Sequence, residues 1–117
     1  MRPIRPFIVL MLAMLVASAQ SQDTPATTCL DARQVAELQQ ASPRQLAALD
    51  RRGQRFRIDL GEDCPGSAGA KAQLLVRGGR VCGSAGEAVR IGAATCPIIG
   101  VSQVDARDYA GLARAAA

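Results

Sequence analysis

The residues able to do chemistry in this chain fall into three sets. Four are cysteines, Cys29, Cys64, Cys82 and Cys96; four are clustered arginines, Arg51, Arg52, Arg55 and Arg57; and four are acids in two close pairs, Glu62 with Asp63 and Asp105 with Asp108. There is no histidine. That excludes Ser-His-Asp and Cys-His catalysis, an imidazole general base and a His-ligated metal site. Work by paired carboxylates remains open, but it needs a cleft that holds two carboxyls at a fixed separation. Both pairs have structural explanations: Glu62 and Asp63 adjoin Cys64 and Pro65 in a turn, and Asp105 and Asp108 open a helix, where acids complement the macrodipole. The expectation is a protein that is not an enzyme and needs no cofactor.

The cysteines are an even set in a short chain, separated by 34, 17 and 13 residues. Four-thiolate metal sites are built from close C-x2-4-C pairs, and redox catalysis uses C-x-x-C; neither spacing occurs here. Two disulfides formed in an oxidising compartment are expected, with three connectivities open. The start of the chain agrees. MRPIRP carries two arginines, an 11-residue apolar run covers 7–17, and Ala17-Ser18-Ala19 is a small-residue cleavage site. Residues 1–19 are read as a cleavable signal peptide, since roughly 20 apolar residues are needed to span a bilayer. Cleavage leaves 98 of 117 residues and removes two arginines but no acid, so the net charge falls from +4 to +2. The product is expected in the periplasm or outside the cell, with no membrane span. Its charge is too small for bulk nucleic-acid binding, and no aromatic platform accompanies the arginines.

The arginine cluster is the strongest local charge feature. Guanidinium groups make bidentate hydrogen bonds to carboxylate and phosphate, so Arg51, Arg52, Arg55 and Arg57 are the candidate docking surface for an anionic envelope component or a protein. The competing explanation is a solvated edge hairpin whose charges deter strand pairing. A repeated GSAG follows both Cys64-Pro65 and Cys82. It is a glycine turn whose successive amides could hold an anion.

These groups must be placed by a small aliphatic scaffold, since Phe56 and Tyr109 are the aromatics beyond the signal. Residues 20–28 are read as a polar, flexible leader. Residues 30–49 admit either a helix broken at Pro43 or two strands, 33–39 and 44–49, with the strands preferred. In 55–60, charged Arg55, Arg57 and Asp59 alternate with Phe56, Ile58 and Leu60, which makes a strand with a buried apolar face. Asp50 to Gly53 is its turn, so 44–60 forms a hairpin. A second hairpin is expected from 72–76 through Gly78-Gly79 to 80–82, with further strands at 88–91 and 98–104. Residues 105–117 are read as a terminal helix, with a capping box begun by Ser102. The expected architecture over 29–104 is mainly β, a small disulfide-stapled antiparallel barrel or sandwich, followed by this helix.

Cys64-Pro65-Gly66, then Gly78-Gly79-Arg80-Val81-Cys82-Gly83 with Ala85-Gly86-Glu87-Ala88-Val89, then Cys96-Pro97-Ile98, resembles a family of small exported proteins of Gram-negative bacteria known only as a domain of unknown function. Glu87 stands where that family commonly has Asp. The resemblance covers roughly residues 29–104; it implies export and disulfides and transfers no catalytic residue. With the strand reading, it implies the pairing Cys64–Cys82 and Cys29–Cys96. The function expected is a non-enzymatic binding or structural protein of the envelope. The alternative is a stapled hydrolase inhibitor that presents the 64–82 segment as its loop.

Overall fold

The computed structural model describes residues 28–66 and 69–117; the signal peptide read at 1–19 and the leader up to residue 27 lie outside the described residues. Residues 30–49 are strands rather than a helix. After β1 (Leu30–Asp31) and a 3-10 turn (Ala32–Gln34), β2 (Val35–Ser42) and β3 (Gln45–Asp50) pair antiparallel. Pro43 and Arg44 form the two-residue connection, since Ser42 faces Gln45 across the ladder. Pro43 has no N–H to contribute there, so a turn is the place that tolerates it.

β4 (Arg55–Leu60) completes the expected hairpin, with Phe56, Ile58 and Leu60 all buried on one face. β5 (Ala72–Leu75), β6 (Arg80–Val81), β7 (Ala88–Ile91) and β8 (Ala94–Gln103) follow, and then α1 (Ala106–Ala116). Six strands make an antiparallel sheet in the order β2-β3-β4-β8-β7-β5, curled into a nearly closed barrel. Its interior is filled by Leu46, Ile58, Leu60, Val89, Ile91, Ile98 and Val101. Each fully buried aliphatic side chain of this kind contributes about 1.5 to 3 kcal/mol over its exposed state.

The second hairpin does not form. β5 pairs with β7, and β6 leaves the barrel wall to pair with β1 in a separate two-stranded ladder. Leu30 and Val81, opposite each other in that ladder, are buried in the core, so the β1–β6 ladder plugs one end of the barrel. This topology also corrects the cysteine pairing. The disulfides are Cys29–Cys82 and Cys64–Cys96, not Cys64–Cys82 and Cys29–Cys96. Cys82 goes with its strand to β1 and so to Cys29. Cys64 follows Leu60, which faces Ile98 on β8, and this brings it to Cys96 inside the barrel.

α1 lies across the outer face of β2, β3 and β4. Ala41 and Ala47 are buried without belonging to the interior cluster, and the helix turns Tyr109, Leu112, Ala113 and Ala116 inward at helical spacing. Its N-cap is Asp105, whose carboxylate accepts the Asp108 N–H at 2.8 Å. Ser102 remains in β8, so the capping box read at Ser102 is displaced by a closer and stronger acceptor.

The barrel's seam runs between β2 and β5. The Gln40 N–H donates to the Ala70 carbonyl at 3.1 Å, the Gly69 N–H donates to the Gln40 carbonyl at 3.0 Å, and Gln39 faces Lys71. Beyond that bridge the two edges have no ladder between them.

Candidate functional site

Two backbone hydrogen bonds gather three distant segments at the plugged end. The Ala32 N–H donates to the Gly79 carbonyl at 2.7 Å, and the Arg51 N–H donates to the Gln34 carbonyl at 2.8 Å. The 3-10 turn therefore sits between the β3–β4 turn and the Gly78-Gly79 turn. Its exposed Arg33 lies over Gly79, where a side chain would come within 3.3 Å of the guanidinium. Gly79 takes a φ of 83°, a conformation that favours glycine, while the exposed Arg33 side chain is free to give way. Arg51 and Arg52 from one turn, Arg77 and Arg80 from the other, and Arg33 between them place five exposed arginines on one end of the barrel.

Three acids share this end and offset part of its charge. Asp31 is 3.7 Å from Arg33, and its position on β1 faces Arg80 across the β1–β6 ladder. Asp50 is buried and directs its carboxylate at the Arg52 and Gln54 N–H groups, at 2.9 and 2.8 Å. Glu87 accepts from three successive amides: both its oxygens lie 3.0 Å from the Cys82 nitrogen, and Oε1 also takes the N–H groups of Gly83 at 2.6 Å and Ser84 at 3.0 Å. The amide nest expected after Cys82 thus exists, and its anion is the chain's own carboxylate. A recess of about 390 Å³ opens beside it, lined by Arg77, Arg80, Gly78, Gly86 and Glu87.

The four arginines singled out from sequence are divided by the fold. Arg51 and Arg52 belong to the five-arginine end. Arg55 and Arg57 share a face, as alternation requires, but it is the outer face beneath α1. Arg57 is paired with Asp59 at 3.1 Å. Arg55 acts on Tyr109, whose phenol is pushed up by burial and by Glu37, with the Arg55 charge opposing. Arg33, Arg77 and Arg80 are the members that spacing missed. Arg77 and Arg80 flank the Gly78-Gly79 turn, but no local pattern joins them to Arg33; they converge because β6 pairs with β1, a contact across the length of the domain.

The fold does not bring the two acid pairs together. Glu62 and Asp63 follow the end of β4 that faces Ile98, and Asp63 pairs with Arg44 at 2.9 Å. Asp105 and Asp108 follow β8 at the opposite end of β4, where Phe56 faces Gln103. Cys29, Cys64, Cys82 and Cys96 are all in disulfides, which leaves none of these thiolates for a metal. Within 64–82, Gly69, Ala70 and Lys71 are held to β2, and Ala72–Leu75 and Arg80–Val81 are the strands β5 and β6.

Beside the arginine end, the unladdered part of the seam forms a groove of about 570 Å³. Ala32, Val35, Leu38, Ala72 and Leu74 give it apolar walls that continue into the core, while Glu37, Gln39, Lys71 and Gln73 form its polar margin. No family model, curated protein or solved structure matches this chain.

Proposed function

We propose that the chain is an exported, non-enzymatic binding protein of the cell envelope that docks anionic groups at its five-arginine end. The observation that carries this reading is the convergence of Arg33, Arg51, Arg52, Arg77 and Arg80 from three segments, with Asp50 and Glu87 turned onto backbone amides. Guanidinium groups held this way suit carboxylate or phosphate oxygens, and an already folded scaffold lowers the ordering cost of binding. Two disulfides are compatible with an oxidising compartment, which agrees with the signal peptide read at 1–19.

Binding of a fluorescent hexa-aspartate peptide tests the reading. The oxidised mature protein should bind it at low salt and release it as salt rises. Changing Arg33, Arg51, Arg52, Arg77 and Arg80 to Gln should weaken binding about tenfold or more, since hydrogen bonds to charged groups contribute about 1.5 to 3 kcal/mol each. Changing Arg44, Arg90, Arg107 and Arg114 instead should leave it within about threefold at roughly 0.15 M salt, because these arginines lie on the β2–β3 turn, β7 and α1 and screening at that ionic strength leaves a reach of only about 8 Å. Equal losses in the two variants would reduce the effect to net charge and remove the site.

A further inference from the structure

We infer that the groove at the β2–β5 seam receives an extended acidic polypeptide segment, which adds to the sheet edge while its carboxylates reach the five arginines. This rests on the anion-docking reading above and names the class of ligand. Three features of the structure support it.

The first is the backbone. β2 and β5 end the sheet order, so past the Gln39–Lys71 bridge their outward rows of N–H and C=O groups face the groove without a ladder partner among the described residues. At Gln40 both backbone groups point across the seam, to Ala70 and from Gly69. The register is regular from Glu37 to Gln40, so the period of two aims the Leu38 backbone the same way; the Gln39–Lys71 bridge takes its carbonyl, which leaves the Leu38 N–H at the groove. An extended chain satisfies such an edge residue by residue.

The second is the side-chain lining. Val35, Leu38, Ala72 and Leu74 are only half-buried although they pack on the core. Alternate apolar side chains of an added strand would cover them, and its remaining side chains would face solvent beside Gln39 and Gln73.

The third is charge. The unladdered stretch of β2 begins at Val35, directly after the turn that bears Arg33, and β5 runs through Val76 into Arg77. The groove thus leads into the arginine end, and a strand lying in it would carry a following acidic stretch onto guanidinium groups able to hold carboxylates bidentately. A lipid chain suits the groove less well, because its margin carries Glu37, Gln39, Lys71 and Gln73 and its walls carry backbone polar groups.

The test uses three labelled peptides with the oxidised protein. The first is Thr-Val-Thr-Val-Thr followed by Asp-Glu-Asp, the second is the same peptide N-methylated at its first five residues, and the third replaces those five with Gly-Ser-Gly-Ser-Gly. The first should bind at least about tenfold tighter than either of the others, since both lose edge pairing and the third also loses the apolar contacts. The arginine-to-glutamine variant should weaken all three. Equal binding of all three would overturn the strand-addition proposal while leaving anion docking intact. Absence of binding by all three would overturn both, and binding to phosphatidylglycerol vesicles in that case would assign the arginines to a membrane surface.

Discussion

Replacing Cys64 and Cys96 together with alanine should lower stability by about 3 to 5 kcal/mol, and the melting temperature by roughly 15 to 30 °C. The pair closes a loop with a sequence separation of 32, for which the chain-entropy model gives about 4 kcal/mol. Both cysteines are 2% exposed, so their loss also opens space in a core with few alternatives for filling it. A domain of this size has a total stability of about 5 to 15 kcal/mol, and loss of this disulfide takes a large share of it. Cys29–Cys82 differs in position: both residues are half-buried, and the bond fastens the β1–β6 plug. Graded thiol treatment should therefore reduce Cys29–Cys82 first, as alkylation and mass mapping would show. Peptides linking Cys64 to Cys82 in the untreated protein would contradict the topology.

The second large effect is expected at Gly83. Its φ is 90°, and a Cβ there would come within 2.8 Å of the Gly100 Cα and the Ile99 carbonyl oxygen, both backbone atoms. An alanine must therefore accept a left-handed conformation and push this turn away from β8, and it would strain the amides that the turn presents to Glu87. About 3 kcal/mol is expected, from about 1 to 2 for the conformation and about 1 to 3 for the overpacking. Gly86 supplies the control. Its φ is 91°, with nothing within 4 Å of its added Cβ, so Gly86→Ala should cost only the conformational part, about 1 to 2 kcal/mol. Thermal melts of the two variants separate the contributions. Equal losses would mean that the close approach of Gly83 to β8 contributes nothing.

Much of the architecture is legible in local pattern. The alternation of Arg55, Phe56, Arg57, Ile58, Asp59 and Leu60 specifies β4 and its buried face, and the Asp50 to Gly53 turn specifies its partner. The interruption at Pro43, which also allows a broken helix, becomes a two-residue turn once β3 is held by β4. The cysteine frame shows that staples exist but not which thiols meet. Connectivity depends on β6 leaving the barrel to pair with β1, and a two-residue strand has no periodicity to announce that. The Gly78-Gly79 turn looks like a hairpin because its flanks are apolar, yet β5 finds its partner in β7. The arginine end is only half-legible for the same reason. Arg51 and Arg52 stand out by proximity, and Arg77 and Arg80 flank Gly78-Gly79, but nothing local joins these pairs to each other or to Arg33, which reaches the second through the Ala32–Gly79 contact. Arg55 and Arg57 had a correct shared face, but nothing local shows that α1 lies over it.

Docking of anions at the barrel end assembled from three separate segments would leave a residue-by-residue signature. Titrating the isotopically labelled, oxidised mature protein with the hexa-aspartate peptide and following its backbone amide resonances tests this most directly. Shifts should appear together at residues 31–35, 50–53 and 77–80, saturate with one affinity and vanish at high salt. Shifts confined to residues 55–57 and 107–114, or scattered over every exposed arginine with no common saturation, would contradict it.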